Sequence, residues 1–403
     1  MKTGKEIRTK ALANSPQFNY LPDEDRYLVA RDKPKYKFNL IGAGIIGQEH
    51  LNLTYLEGRA EVKGVYDPNP RSITVAQSIQ ERWTQNPLIV YDSLESACND
   101  PEVDALLICT PNYTHLEVVK VAMQSGKHIL LEKPIATTVA DALEITQIAE
   151  SYPAVFQVGL QYRHKSISVE AIHEALERKT LGEIKLISMQ EHRIPFLDKV
   201  NQWNKFAKYS GDTLVEKCCH YFDLINLFAQ SKPVQVYASG GMDVNFTEFE
   251  YEGEKSDILD NAFVIIDYEN KVRANFSLCM FAPMFYEELV VCGDEGRLRA
   301  WEQKDFLPSG DLQSHIEILC DEKKPSRRIQ PGYPTWIEDS GHNGATFYEH
   351  IYFIDNIEGK PTNTASAREG LWSVIVASAA QESIKRGQVI SIADYLAELN
   401  IVL

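Results

Sequence analysis

Phe38-Asn39-Leu40-Ile41-Gly42-Ala43-Gly44-Ile45-Ile46-Gly47-Gln48-Glu49-His50-Leu51 joins an apolar, strand-like run to a helical pattern through glycines spaced G-x-G-x-x-G. Each glycine plays a separate part: Gly42 permits a tight turn, Gly44 lets backbone N–H groups approach a pyrophosphate at a helix N-terminus, and Gly47 allows close helix-sheet packing. Ile45 and Ile46 complete this loop and are counted with it as cofactor-binding. Asp67 ends a second strand-like run, EVKGVYD over 61–67, and follows Gly47 by twenty residues. An acid at that place accepts hydrogen bonds from an adenosine ribose diol and repels the 2′-phosphate of NADP. The pattern therefore points to NAD rather than NADP, with Arg71 close enough to offset part of the repulsion. Asp67-Pro68-Asn69-Pro70 also reads as a simple turn, and that alternative stays open.

Outward from this loop the rhythm continues: strands PLIVY (87–91), DALLICT (104–110), HILLEKP (128–134) and AVFQVGL (154–160) alternate with helices over 71–83, 115–125 and 138–150. Buried apolar strands alternating with helices predict a doubly wound parallel sheet, a Rossmann domain, over 38–160. After about Gln161 the pattern changes to helices over 166–178 and 213–229 among longer alternating strands such as GEIKLISMQ, NAFVIIDYEN and KVRANFSLCM. Turns at Tyr268-Glu269-Asn270 and Gly293-Asp294-Glu295-Gly296 predict a mostly antiparallel open sheet in an α+β domain over 161–403, closed by helices over 344–357 and 367–385. The expected class is α/β overall, with an N-terminal arm over 1–37.

The chain has 403 residues, 44% of them hydrophobic, which suits a soluble globular protein of two or more domains. A net charge of -16 excludes nucleic acid and anionic lipid as general partners. The exception is the arm, where nine Lys or Arg face five Asp or Glu; it is expected to be extended and to drape over a neighbouring subunit or to trail as a tail. No apolar run reaches transmembrane length and no signal-like h-region precedes the arm, so the cytoplasm is the expected compartment. The cysteines, seven in number and without C-x-x-C spacing, read as reduced thiols.

Cys109-Thr110-Pro111-Asn112-Tyr113-Thr114-His115 and Ser125-Gly126-Lys127-His128-Ile129-Leu130-Leu131-Glu132-Lys133-Pro134, with the glycine loop upstream, resemble the Gfo/Idh/MocA oxidoreductases, the family of glucose-fructose oxidoreductase and inositol dehydrogenase. The resemblance runs from about Phe38 into the C-terminal helices. It implies a cofactor site formed by the glycine loop, Thr110, Pro111, Asn112, His115, Glu132, Lys133 and Gln161. It also implies that Lys133 reaches the reacting hydroxyl and stabilises developing alkoxide charge, and that copies associate as dimers or tetramers through the open sheet.

The family's Asp and His, spaced four apart, correspond to Glu216 and His220 in Gly211-Asp212-Thr213-Leu214-Val215-Glu216-Lys217-Cys218-Cys219-His220-Tyr221-Phe222-Asp223. Positions 216, 220 and 223 would share one helical face. His220 is expected to be the general base, Glu216 to orient it, and Asp223 to be structural. Two departures, Glu216 for Asp and Cys218 for Gly, put the substrate in doubt. Glu216 also reads as the end of a capping box with Thr213. Arg163, Trp203 and His342 are candidate substrate contacts, with His192, Arg193 and Tyr348 weaker ones. Cys218, Cys219 and His220 point about 100° apart on a helix and cannot share an ion, so no metal is expected. The expected reaction is NAD-dependent oxidation of a secondary hydroxyl in a cyclitol, sugar or sugar derivative. Two alternatives remain: transient oxidation by a retained cofactor during glycoside cleavage, or a non-catalytic sensor.

Overall fold

The computed structural model describes residues 34–306, 311–321 and 324–403; the expectations for the arm fall almost wholly outside them. Six strands, β1 (Tyr36–Ile41), β2 (Ala60–Tyr66), β3 (Ile89–Val90), β4 (Ala105–Ile108), β5 (His128–Glu132) and β6 (Phe156–Gly159), form one sheet in the order β3-β2-β1-β4-β5-β6. Every pairing in it is parallel. Helices α1 (Ile45–Glu57), α2 (Pro70–Gln80), α3 (Leu94–Cys98), α4 (His115–Met123) and α5 (Val139–Glu150) connect the strands. All four residues of β4 are buried, as a parallel strand covered on both faces requires. The order reverses between β1 and β4, so a crevice opens at their C-terminal ends, where such sheets bind nucleotides.

The rest of the chain comprises α6 (Ser166–Ile172), β7 (Ile184–His192), α7 (Cys219–Ala229), β8 (Pro233–Gly241), β9 (Glu250–Tyr251), β10 (Glu254–Lys255), β11 (Asn261–Tyr268), β12 (Arg273–Cys279), β13 (Met284–Gly293), β14 (Gly296–Asp305), β15 (Gln313–Cys320), β16 (Arg327–Ile329), α8 (Ala345–Ile357), α9 (Ala367–Arg386), β17 (Ile390–Ser391) and α10 (Ile392–Glu398). Nine of these strands make a second sheet, β16-β15-β14-β13-β7-β12-β11-β8-β17. It is antiparallel except where β12 runs parallel to β7. Its inner face packs under α7, with Tyr221 stacked on Phe276 at 5.0 Å between ring centroids. Its outer face leaves Phe263 68% and Ile265 50% exposed.

Helices α8 and α9 return to the first sheet. Phe353 of α8 meets Phe38 edge to face at 5.8 Å, and Val158 N–H of β6 donates to Ala365 just before α9. Ser366 and Glu369 form a reciprocal capping box at the start of α9, and Gly387, at φ 65°, ends it.

One expected helix is broken. Instead of running over 213–229, the chain makes a single turn, Asp212–Glu216, and restarts as α7 at Cys219. Both Lys217 N–H and Cys218 N–H donate to Thr213 O, which widens the turn. The break lets Lys217 point inward to Tyr162 and Glu191, so Glu216 and His220 do not sit on one helical face. The expected helix over 166–178 likewise ends as α at Ile172 and widens into a π turn over His173–Glu177.

Candidate active site

The glycine loop closes against the strand beside it. Gly42 has φ +91°, and a Cβ there would sit 2.8 Å from the Cys109 carbonyl carbon; a Cβ on Gly47 would sit 2.1 Å from Gly42 O. Because the obstacle at Gly47 is backbone, Gly47→Ala is expected to cost about 1–3 kcal/mol of stability and to weaken NAD binding. Thermal unfolding and cofactor titration measure the two effects, and unchanged values for both would refute the packing role. Gly44 is different: a Cβ there meets nothing within 4 Å, which leaves a cradle at the N-terminus of α1 suited to a pyrophosphate. Ile45 is exposed at this turn and Ile46 half-buried against the first sheet's core.

Asp67 ties this loop to β2. Its carboxylate accepts Ala43 N–H and Asn69 N–H, each at 2.7 Å. Asn69 in turn caps α2 by accepting Arg71 N–H. Asp67 is thus a turn residue and a support of the glycine loop, and each of its oxygens keeps a lone pair for a ribose hydroxyl.

Several residues expected at the cofactor are hydrogen-bonded to other parts of the protein. His115 is fully buried, with Nδ1 2.9 Å from Pro134 O and Nε2 3.1 Å from Thr110 O, so it clamps the loop after β4 to the loop after β5. Asn112 donates to Ser210 O. Glu132 is buried and lies 2.8 Å from His50 Nε2. Thr110 accepts a hydrogen bond from Thr114 beside Pro111. Gln161 is fully buried, and neither its amide oxygen nor its nitrogen has a partner among the described residues. A buried primary amide without partners is costly, and the nicotinamide carboxamide has the donors and acceptors to satisfy it. The open cradle at Gly44 and this orphaned amide fit a dinucleotide.

Lys133, Glu216 and His220 come together across the crevice. Lys133 Nζ donates to Glu216 O at 2.9 Å and lies 3.8 Å from Glu216 Oε1. Burial opposes its charge, but Glu216 foremost, with Cys219, Glu132 and Tyr162, outweighs it and holds the lysine pKa above its ordinary value. Burial also acts against the Glu216 carboxylate, yet Lys133 and Lys199 keep its pKa well below the carboxylate range. The partner of Glu216 Oε1 is Lys199 Nζ at 3.0 Å. Neither the capping box nor an orienting bond from Glu216 to His220 is formed; the start of the turn is held by Asp212, whose Oδ1 accepts Thr213 N–H and Leu259 N–H.

His220 is oriented by Tyr162. The two rings stack at 4.0 Å and 8°, Lys217 donates to the Tyr162 hydroxyl, and Lys165 Nζ lies 4.0 Å from the Tyr162 ring centroid. Burial first, and then the charges of Lys133, Lys217, His342 and Lys165, push the His220 pKa well below its ordinary value. The imidazole is therefore neutral at pH 7, and its Nδ1 has no partner among the described residues.

The remaining candidates divide. His342 stands at the crevice edge, 2.8 Å from Glu49 and 6.4 Å from the Tyr162 ring centroid. Trp203 is buried and props Lys199, whose Nζ lies 4.4 Å from its ring centroid. Arg193 lies over Phe196 and Phe285, 3.6 Å from Glu191, and His192 faces Tyr286. Tyr348 packs on Tyr333 at 4.3 Å in a small apolar cluster. Arg163 corrects the expectation of a substrate contact: it is 2% exposed, with Nε and Nη2 donating to Asp223 and Nη2 also to Glu369. Asp223 is the buried acceptor of that guanidinium. Sequence reasoning passed over Tyr162, Lys165, Lys199 and Lys217; only Lys217, inside the quoted 211–223 segment, and Tyr162, next to Gln161, had a signal.

Comparison with known proteins agrees with this architecture. Residues 36–160 match the model of an oxidoreductase family described as an NAD-binding Rossmann fold, and residues 173–392 match that family's C-terminal alpha/beta domain. The chain is 25% identical over 358 residues to inositol 2-dehydrogenase of Rhizobium meliloti, covering 89% of this chain and 99% of that one. It is 24% identical to the oxidoreductase YrbE of Bacillus subtilis, over 88% of this chain and 95% of that one. Among solved structures, a levoglucosan dehydrogenase in complex with NADH and levoglucosan superposes with a TM-score of 0.70 at 18% identity, covering 89% of this chain and 99% of that one. A scyllo-inositol dehydrogenase from Lactobacillus casei gives 0.68 at 18% identity over 89% and 99%. The chain belongs to the Gfo/Idh/MocA oxidoreductase family, with an NAD-binding Rossmann domain and that family's C-terminal α/β domain.

Proposed function

We propose that this oxidoreductase oxidises a secondary hydroxyl of a cyclitol, sugar or sugar derivative with NAD. The observation that carries this reading is the Lys133 ammonium held against Glu216, with a buried His220 near enough for that lysine to depress its pKa. Bound NAD supplies the hydride acceptor; the glycine loop, Asp67 and Gln161 would hold it. Lys133 donates to the substrate oxygen and lowers the cost of negative charge there. His220 takes the hydroxyl proton, a role worth about 10²- to 10⁴-fold, and Tyr162 keeps its ring in place. Glu216, held by Lys133 and Lys199, balances the lysine charge. The names of relatives that act on inositols and levoglucosan support a polyol substrate. The uncovered Phe263 and Ile265 on the second sheet support association of copies through that face.

The test is NADH formation across a panel of inositols, aldoses, anhydrosugars and glycosides, repeated with NADP. Turnover of at least one polyol, with NAD preferred by about tenfold or more because Asp67 faces the ribose site, is the expected result. Product formation without net NADH would move the reading to transient oxidation by a retained cofactor. Cofactor binding with no chemistry on any polyol would leave a sensor.

A further inference from the structure

Next to Lys133 in the chain and in the fold, four titratable side chains are buried together: His50 of α1, Glu132 of β5, and Glu349 and His350 of α8, none more than 3% exposed. None acts in the chemistry proposed above. One ligand atom each from His50, Glu132 and Glu349 lie within 4.8 Å of one another. His50 Nε2 is 2.8 Å from Glu132 Oε1, and His50 Nδ1 is 2.8 Å from His350 Nε2. Both carboxylate oxygens of Glu349 are buried without a partner among the described residues.

We propose that His50, Glu132 and Glu349 form a binding site for one zinc-class divalent cation, with His350 fixing the tautomer of His50. When His50 carries its proton on Nδ1 and donates it to His350, its Nε2 presents a lone pair beside Glu132, the arrangement of a metal-bound histidine. Two carboxylates and a neutral imidazole carry two negative charges; one divalent cation balances them and engages Glu349 as well. The other tautomer of His50 satisfies Glu132 by a hydrogen bond, but it leaves both buried oxygens of Glu349 without a partner among the described residues, which a cation would supply. Imidazole with two carboxylates is a zinc-type donor set, and the bond from the other ring nitrogen is the usual support of a metal-bound histidine. Ligand atoms on a tetrahedral zinc stand about 3.3 Å apart, within reach by small side-chain rotations. Sequence spacing gave no hint of this site because its ligands come from three distant segments. Glu132 Oε2 accepts Lys133 N–H at 3.1 Å, so the cation also steadies the peptide that carries Lys133 and fastens α8 to the first sheet.

The experiment uses the full chain, stripped of metal by dialysis against dipicolinate and then titrated with zinc. Metal is counted by plasma mass spectrometry, and thermal unfolding is followed alongside. The expected result is one zinc per chain, a raised Tm on binding, and one zinc fewer in Glu349→Gln. Failure of the wild-type protein to take up zinc from micromolar solution, or retention of the same zinc by Glu349→Gln, overturns the proposal. Should the variant be insoluble, cobalt(II) added to the wild-type protein decides: d–d bands without thiolate charge transfer support this site, and thiolate bands place the metal at cysteines instead. None of these readouts depends on turnover, so the cation site and the dehydrogenase reading stand or fall separately.

Discussion

Lys133→Met is expected to lower kcat by about 10²- to 10³-fold, the loss seen when one donor to a developing oxyanion is removed, with a smaller change in KM. The effect falls on kcat because the ammonium matters most when the substrate oxygen carries charge. A second consequence follows from His220. Burial and three nearby lysines, Lys133 first among them, keep its pKa well below the ordinary value. Removing Lys133 removes one of those charges, so the pKa rises back toward the usual histidine range of about 6.5. A base works only when unprotonated; the acid limb of kcat/KM therefore lies far below neutrality in the wild-type enzyme and shifts upward in the variant's residual activity. Lys133 itself is held above the ordinary lysine value, so its ammonium persists through the alkaline range where most enzymes are assayed. Full turnover in Lys133→Met would remove the lysine from the chemistry. A reduced kcat with an unmoved acid limb would separate the lysine from the base and reassign the proton to a group other than His220.

What could be read from the chain alone was local. The G-x-G-x-x-G loop states its conformation because a Cβ on Gly47 would meet Gly42 O within the same loop, and Gly42 itself takes a positive φ that favours glycine. Asp67 is legible for a related reason, since a short acid at the end of β2 has the turn and the glycine loop within reach. The burial of β4 and the alternation along β11 and β12 follow from period alone. Pairings between distant segments left no trace. His115 looked like a cofactor contact because it ends a motif, but two carbonyls from separate loops had claimed both ring nitrogens. The regular spacing of Glu216 and His220 suggested one helical face, but the helix breaks between them, where Lys217 N–H and Cys218 N–H share Thr213 O. Lys199 sits in a loop with no period at all, yet it is the near partner of Glu216. Glu216 thus serves two lysines at once, its carboxylate accepting from Lys199 while its backbone carbonyl accepts from Lys133.

Arg163→Leu is expected to cost about 3–5 kcal/mol of folding stability, the penalty for breaking a buried ion pair from one side. Arg163 joins Asp223 of α7 to Glu369 at the start of α9, directly after the last strand of the first sheet. Asp223 is 1% exposed, and without the guanidinium its carboxylate has no compensating charge. Burial already raises the Asp223 pKa, with Arg163 working against that rise and Glu369 adding to it; the variant removes that opposing influence. An acid whose folded pKa lies above its unfolded value destabilises the fold progressively as pH rises past the unfolded pKa, in full once pH exceeds the folded pKa, and not at all when both states are protonated. The stability deficit of Arg163→Leu should therefore be largest at neutral pH and shrink as pH falls toward the unfolded aspartate value of about 3.9. Denaturant unfolding of wild type and variant at several pH values measures this directly. Replacing Asp223 with leucine in the same chain should recover much of the loss, because an apolar pair of similar volume carries no desolvation penalty. Kinetics supply the contrasting readout: if Arg163 bound substrate, the variant would raise KM at full stability, and that result would return Arg163 to the crevice and refute its assignment as a buried tie.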